Sequence, residues 1–141
     1  MKTLIFGAGP LGSLYACLFH KAGHDVTILA RDEHFDFIVS HGIVLLNEFT
    51  QEKVIEKVRV VDKLTVEDSY DLVIVIMRKN SIKNVLPALS INKKIKHFLF
   101  IGNNAVGFDD YLKHLPKEKV LFGFPGCGGS RINHIVHYID T

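Results

Sequence analysis

Lys2-Thr3-Leu4-Ile5-Phe6-Gly7-Ala8-Gly9-Pro10-Leu11-Gly12 opens the chain with an apolar run that breaks into glycines. The run reads as a short, buried parallel strand. Residues 10–22 then carry apolar side chains at helical spacing, namely Leu11, Leu14, Tyr15, Leu18 and Phe19. Pro10 suits a first helical turn, where its missing N–H is not needed, and Gly23 fits the C-terminal cap. Residues 25–30 form a second β-rich run. Between strand and helix, the spacing Gly7-x-Gly9-x-x-Gly12 has a physical meaning. The first glycine permits a tight turn, the second lets backbone approach a pyrophosphate, and the third lets helix and strand pack closely. The helix start adds free N–H groups and a positive dipole end, both suited to an anion. The spacing alone arises by chance. The strand before it, the helix after it and the second strand at βαβ distance make it a dinucleotide-binding signature.

The rest of the chain continues the alternation. Residues 33–40 read as a short helix stopped near Gly42. Residues 43–46 and 54–61 read as strands, with 47–53 as the turn between them. Residues 71–77 give the strongest strand signal, a near-continuous Val/Ile run. Residues 81–89 are helical in pattern, with Pro87 expected to kink or end the helix. A strand at 97–101, a helix at 109–115 and a strand at 119–122 follow. A glycine-rich loop at 123–130 precedes a last β-rich run at 132–139. This order predicts an α/β, Rossmann-type doubly wound fold: a mainly parallel sheet with helices on both faces.

The 141 residues suit one compact dinucleotide-binding domain spanning 1–141. The formal net charge of +2 gives no reason to expect nucleic acid or an anionic membrane as partner. No apolar run approaches the ~20 residues of a membrane span. The N-terminal run carries the glycine motif instead of the features of a signal peptide. Cys17 and Cys127 lie far apart with no partner spacing, as expected in a reducing, cytoplasmic compartment. The chain stops at an apolar strand with no polar tail, which leads to the expectation that a second domain is missing and that the uncovered surface self-associates.

The tip of the second strand bears on the cofactor. NAD enzymes usually place Asp or Glu about 20 residues after the motif, on the ribose 2′-hydroxyl. Here the strand ends Leu29-Ala30-Arg31-Asp32. Ala30 leaves room for a 2′-phosphate and Arg31 supplies a guanidinium to pair with it, so NADP is favoured. A shift of one residue would make Asp32 a ribose ligand for NAD; its other role is to cap the following helix. His134 and His137 are read as opposite-facing strand residues, unsuited to one metal ion. Cys17 is read as core packing. Cys127 is read as an ordinary loop thiol.

Residues 1–31, 71–78, 103–107 and 123–129 together resemble the N-terminal domain of the ketopantoate reductase (2-dehydropantoate 2-reductase) family. The resemblance covers the whole chain but only the family's first domain. It implies NADPH-dependent reduction of a 2-keto acid to a 2-hydroxy acid, with a catalytic lysine and an acidic residue in a helical second domain. It implies that Gly7, Gly9 and Gly12 form the phosphate loop and that Arg31 pairs the 2′-phosphate. Arg78, followed by Lys79, stands where the family usually has a lysine near the cofactor. Asn104 matches an asparagine beside the nicotinamide that contacts substrate. The segment Phe124-Pro125-Gly126-Cys127-Gly128-Gly129 looks like a variant branch, which leaves the identity of the keto acid open.

Motif and resemblance together give a cofactor-binding set of Gly7, Ala8, Gly9, Pro10, Leu11, Gly12, Arg31, Met77, Arg78 and Asn104, with Asn104 also on the substrate and no metal. The competing reading is a non-enzymatic NAD- or nucleotide-sensing domain like those of potassium transport proteins. Ala30-Arg31, Asn103-Asn104 and the Phe-Pro-Gly segment speak against it.

Overall fold

The computed structural model describes residues 1–102 and 109–140. The strands are β1 (Lys2–Phe6), β2 (Asp25–Leu29), β3 (Ile43–Asn47), β4 (Lys53–Glu56), β5 (Arg59–Val61), β6 (Tyr70–Ile76), β7 (Ile95–Ile101), β8 (Val120–Gly123), β9 (Cys127–Ile132) and β10 (Ile135–Asp140). The helices are α1 (Pro10–Lys21), α2 (Asp32–His41), α3 (Lys79–Ile91) and α4 (Asp109–His114). Six strands form one parallel sheet in the order β5-β2-β1-β6-β7-β8. Counted among themselves in chain order, they run 3-2-1-4-5-6, the doubly wound arrangement expected from the sequence. The order reverses between β1 and β6, where Phe6 pairs with Val75.

Alternating side chains along the central strands separate two cores. Leu4, Phe6, Val73, Val75, Phe98 and Phe100 pack on one side with Ile82, Val85, Leu86 and Leu89 of α3. Ile5, Val26, Ile28 and Ile74 pack on the other with Leu14, Ala16 and Cys17 of α1. That second core also holds Ile43, Leu45 and Val136, which come from a second sheet of order β4-β3-β10-β9. Helix α1 is therefore a layer between two sheets. Its small residues Gly12, Ser13, Ala16 and Cys17 are buried and allow close approach.

The second sheet accounts for three departures from the sequence reading. Residues 54–61 do not form one strand. β4 pairs antiparallel with β3 in the second sheet, while β5 pairs parallel with β2 in the first. The glycine-rich stretch expected as a loop at 123–130 is half strand: β9 pairs antiparallel with β10, setting Gly129 opposite Tyr138. The last β-rich run begins later than expected, because Asn133 and His134 make a two-residue turn with φ of 50° and 68° between paired Ile132 and Ile135. His134 is thus a turn residue and not a strand residue.

Pro87 neither ends nor breaks α3, which runs on to Ile91. Pro87 is exposed while Val85, Leu86 and Leu89 are buried. The carbonyl that loses its N–H partner therefore lies on the wet face, and the apolar face holds the helix together. No helix among the described residues is long and apolar enough to cross a membrane.

Both cysteines are free. Burial pushes the Cys17 thiol up to about 12, with the Glu56 carboxylate adding to the shift and Lys21 opposing it. Cys127 is half-buried, its Sγ 3.8 Å from the Tyr15 hydroxyl. Since the thiolate is the reacting species, iodoacetamide at pH 8 should modify Cys127 and spare Cys17 until denaturant is added. Intact-mass analysis with peptide mapping reads this directly. Modification of Cys17 in the folded chain at the rate of Cys127 would contradict a helix enclosed between sheets.

Candidate cofactor-binding cleft

The first sheet places four strand ends side by side: Phe6 pairs with Leu29 and with Val75, and Ile76 pairs with Ile101. A cleft of about 920 Å³ opens beyond them, within the range of small-molecule and cofactor sites. Its walls include Gly7 to Gly12, Ala30, Arg31, Asp32, Met77 and Arg78. The structure thus brings every described member of the predicted set into one cavity at the switch point, where ligands of open α/β sheets bind. Asn104 lies outside the described residues.

The glycines of the loop act through different constraints. Gly7 has φ of +126°, and a Cβ there would meet the Ile76 carbonyl oxygen at 2.5 Å. A Cβ on Gly12 would lie 1.9 Å from the Gly7 carbonyl oxygen. Gly9 has an ordinary φ of −74°, and a Cβ there would meet nothing within 4 Å. No protein atom requires glycine at position 9, so its bare face fits a ligand that approaches the backbone closely. The Ser13 N–H donates to the Gly9 carbonyl at 3.0 Å, which begins α1 without any side-chain cap. The N–H groups of Leu11 and Gly12 precede that bond and have no intrahelical acceptor. The fit to a pyrophosphate is good.

At the β2 tip, the buried Ala30 donates its N–H to the Val61 carbonyl at 3.0 Å. The exposed Arg31 occupies the N-cap position of α2, and the Phe35 N–H donates to its carbonyl. The helix consequently starts at Asp32, one residue earlier than expected, and Asp32 is not its cap. Asp32 instead takes φ of 55°, a left-handed conformation that Asp tolerates better than most residues. Arg31 and Arg78 make no ion pair with a carboxylate among the described residues. Met77 packs against the α3-side core, and Arg78 is the N-cap residue of α3.

Among the cleft residues absent from the sequence prediction are Arg131 and His34. Arg131 of β9 donates from Nη1 to the Ala8 carbonyl at 2.9 Å. His34, in the first turn of α2, is buried and stacks on His134 with ring centroids 5.2 Å apart and Nδ1 atoms 3.0 Å apart. The only sequence signal for either is Asn133, a turn-forming residue inside the run read as the last strand. His134 therefore meets His34, while His137 of β10 pairs with Glu48. The described residues contain no cluster of three metal-ligating side chains.

Burial holds His34 down to about 4 from its usual 6.5, with the charge of Arg131 and the neighbouring His134 adding to the shift and the Ala8 carbonyl opposing it. Its Nε2 has no hydrogen-bond partner among the described residues.

A sequence model described as "Ketopantoate reductase PanE/ApbA" matches residues 3–139. The chain belongs to the ketopantoate reductase family. A 2-dehydropantoate 2-reductase of Listeria monocytogenes is 27% identical over 132 residues, which cover 93% of this chain and 44% of that protein. A solved D-mandelate dehydrogenase with NADH and anilino(oxo)acetate superposes with a TM-score of 0.83 at 25% identity, over 97% of this chain and 45% of that one. A TrkA-type potassium uptake protein homologue of Pyrococcus horikoshii is 28% identical over 108 residues, covering 71% of this chain and 47% of its own length. The chain thus spans less than half the length of each of these proteins.

Two predictions follow from the cleft geometry. Gly12→Ala should cost about 3 kcal/mol or more, because backbone must move to admit the methyl group. Gly9→Ala should change stability by no more than about 1 kcal/mol. Equilibrium urea unfolding compares them, and equal losses would refute the contrast. For His34, the folded chain holds the ring neutral while the unfolded chain protonates it below about 6.5. Its contribution is therefore full above that pH and falls as pH drops towards about 4. Between pH 7 and 5 the wild type should lose about 2 kcal/mol more than His34→Gln; parallel losses would contradict the burial argument.

Proposed function

We propose that this family domain binds NADPH in the cleft and serves an oxidoreductase that reduces a 2-keto acid to a 2-hydroxy acid. The observation that carries the reading is the glycine loop at the switch point with Arg31, unpaired with any described carboxylate, at the β2 tip. The pyrophosphate lies on the N–H groups of Leu11 and Gly12 against the open face of Gly9, where the α1 dipole favours it. The adenosine ribose lies at Ala30, whose small side chain leaves space, and Arg31 pairs the 2′-phosphate with charge-assisted hydrogen bonds. Met77, Arg78, Ile101 and Gly102 then form the wall along the nicotinamide half.

Bound NADPH supplies the hydride. The chain's own share is to fix the nicotinamide at the sheet edge and to exclude water along the apolar wall of Ile76, Met77 and Ile101. Asn104, through its family resemblance, orients the keto acid. Support for the reaction class comes from the family and from the 2-dehydropantoate reductases and mandelate dehydrogenase that the chain resembles. Turnover belongs to the full-length reductase, and the 141-residue chain binds the cofactor without reducing ketopantoate. A regulatory nucleotide sensor fits less well: Ala30-Arg31 lacks the acidic strand tip, and the family match spans residues 3–139.

Titration of the chain with NADPH and NADH at fixed salt tests this. A charge-assisted arginine–phosphate contact is worth about 1.5–3 kcal/mol, or roughly 10- to 150-fold in affinity. A preference of that order for NADPH, sharply reduced in Arg31→Ala, is the expected result. Equal or tighter NADH binding would move the ribose contact to Asp32 and overturn the NADPH assignment.

A further inference from the structure

The β9–β10 hairpin belongs to the second sheet, yet β9 reaches the cleft of the first. A Cβ on Gly129 would stand 3.3 Å from the Pro10 Cβ, so β9 crosses the start of α1 in close contact. Two residues further along, on the same side of the strand, Arg131 reaches the phosphate loop and donates to the Ala8 carbonyl at 2.9 Å. It is exposed, lines the cleft and makes no ion pair with a carboxylate among the described residues. A guanidinium has five N–H donors. The bond to Ala8 uses one, which fixes the group while leaving donors for an anion.

The position of Arg131 distinguishes between the two phosphate sites of NADPH. The pyrophosphate belongs at Gly9, Leu11 and Gly12, on the helix start. Arg131 sits at Ala8, on the strand side of that turn. The hairpin that carries it also touches the first turn of α2, where His134 stacks on His34 with ring centroids 5.2 Å apart and Nδ1 atoms 3.0 Å apart. Arg131 therefore stands between the phosphate loop and the β2 tip that carries Arg31. Resting on the NADPH reading above, we propose that Arg131 is a second cation for the ribose 2′-phosphate, so that cofactor choice is made by two arginines from different sheets. Arg31 comes from the βαβ unit that carries the motif. Arg131 comes from a hairpin about a hundred residues later, held in register by β3 and α1. A carboxylate or a neutral side chain at 131 would shift a domain of the same fold towards NADH even with Arg31 in place.

The test is to titrate the wild-type chain and Arg131→Met with NADPH, NADH, 2′,5′-ADP and 5′-AMP at fixed salt. The expected result is that NADPH and 2′,5′-ADP weaken roughly tenfold or more, while NADH and 5′-AMP keep their affinities. In addition, Arg31→Ala should retain a residual NADPH preference that Arg131→Met in the same chain abolishes. Parallel weakening of NADPH and NADH would make Arg131 a brace of the loop or a pyrophosphate contact, and would overturn the proposal. Unchanged NADPH binding would overturn it too. A wild-type chain without NADPH preference would sink both this inference and the reading beneath it, whereas a wild-type preference that survives Arg131→Met would sink this one alone. If Arg131→Met does not fold, the guanidinium resonance missing from Arg131→Lys can be followed in wild type. A shift with 2′,5′-ADP that 5′-AMP does not produce supports the assignment, and an equal response to both refutes it.

Discussion

The first turn of α1 rests directly on the loop that leads into it, and the remaining architecture depends on that contact. A single methyl group at Gly12 would collide with the Gly7 carbonyl. This closeness sets the angle at which the helix leaves β1 and aims its N-terminus at the point where the strand order reverses. The same contact lets α1 lie flat enough on Ile5 and Ile74 for its other side to receive Ile43, Leu45 and Val136. Loop geometry, helix packing and the docking of the second sheet are therefore one constraint seen at three distances.

The second sheet has two roles that an ordinary nucleotide-binding half does not combine. It covers the outer face of α1, which raises the apolar area removed from water around that helix. It also brings β9 across the helix start, so that polar side chains from a separate layer form part of the cleft wall. Gly129 serves the second role, because a Cβ there would meet the His137 carbonyl oxygen of the paired strand at 2.6 Å and crowd the Pro10 Cβ at 3.3 Å.

Much of this was legible from residue order. The β1–α1–β2 unit was read correctly because its signals are local: an apolar run, glycines at fixed offsets and a proline at a first turn. Arg31 and Arg78 lie on the cleft wall because each follows a strand whose end lies at the same sheet edge, and Met77, read as the last residue of its strand, follows β6 at that edge as well. What escaped the reading depends on partners distant in sequence. Nothing between Val54 and Val61 marks the change of sheet, since β-branched residues favour strand on both sides of it. β9 looked like a loop because glycines have low strand propensity, and only pairing with β10 shows otherwise. Pro87 looked like a stop because the sequence does not reveal that it faces water. Arg131 meets Ala8 and His134 meets His34 only because a hairpin turns at Asn133-His134.

The parallel pairing of β10 with β3 has a consequence for how the chain comes together. Ile135 lies beside Val44 and Tyr138 beside Asn47, with four of the six strands of the parallel sheet encoded between them. The β3–β4 hairpin can form early from neighbouring residues, but the strand that completes its sheet is synthesised only after β5 to β8. Until then, the outer face of α1 has only part of its cover, and the cleft lacks the wall that carries Arg131. Closing so long a loop is entropically slow. The order of synthesis therefore builds the phosphate loop and the parallel sheet before the element beside the loop's rim, so that a nascent chain holds the general nucleotide fold before it holds all the side chains of its cleft.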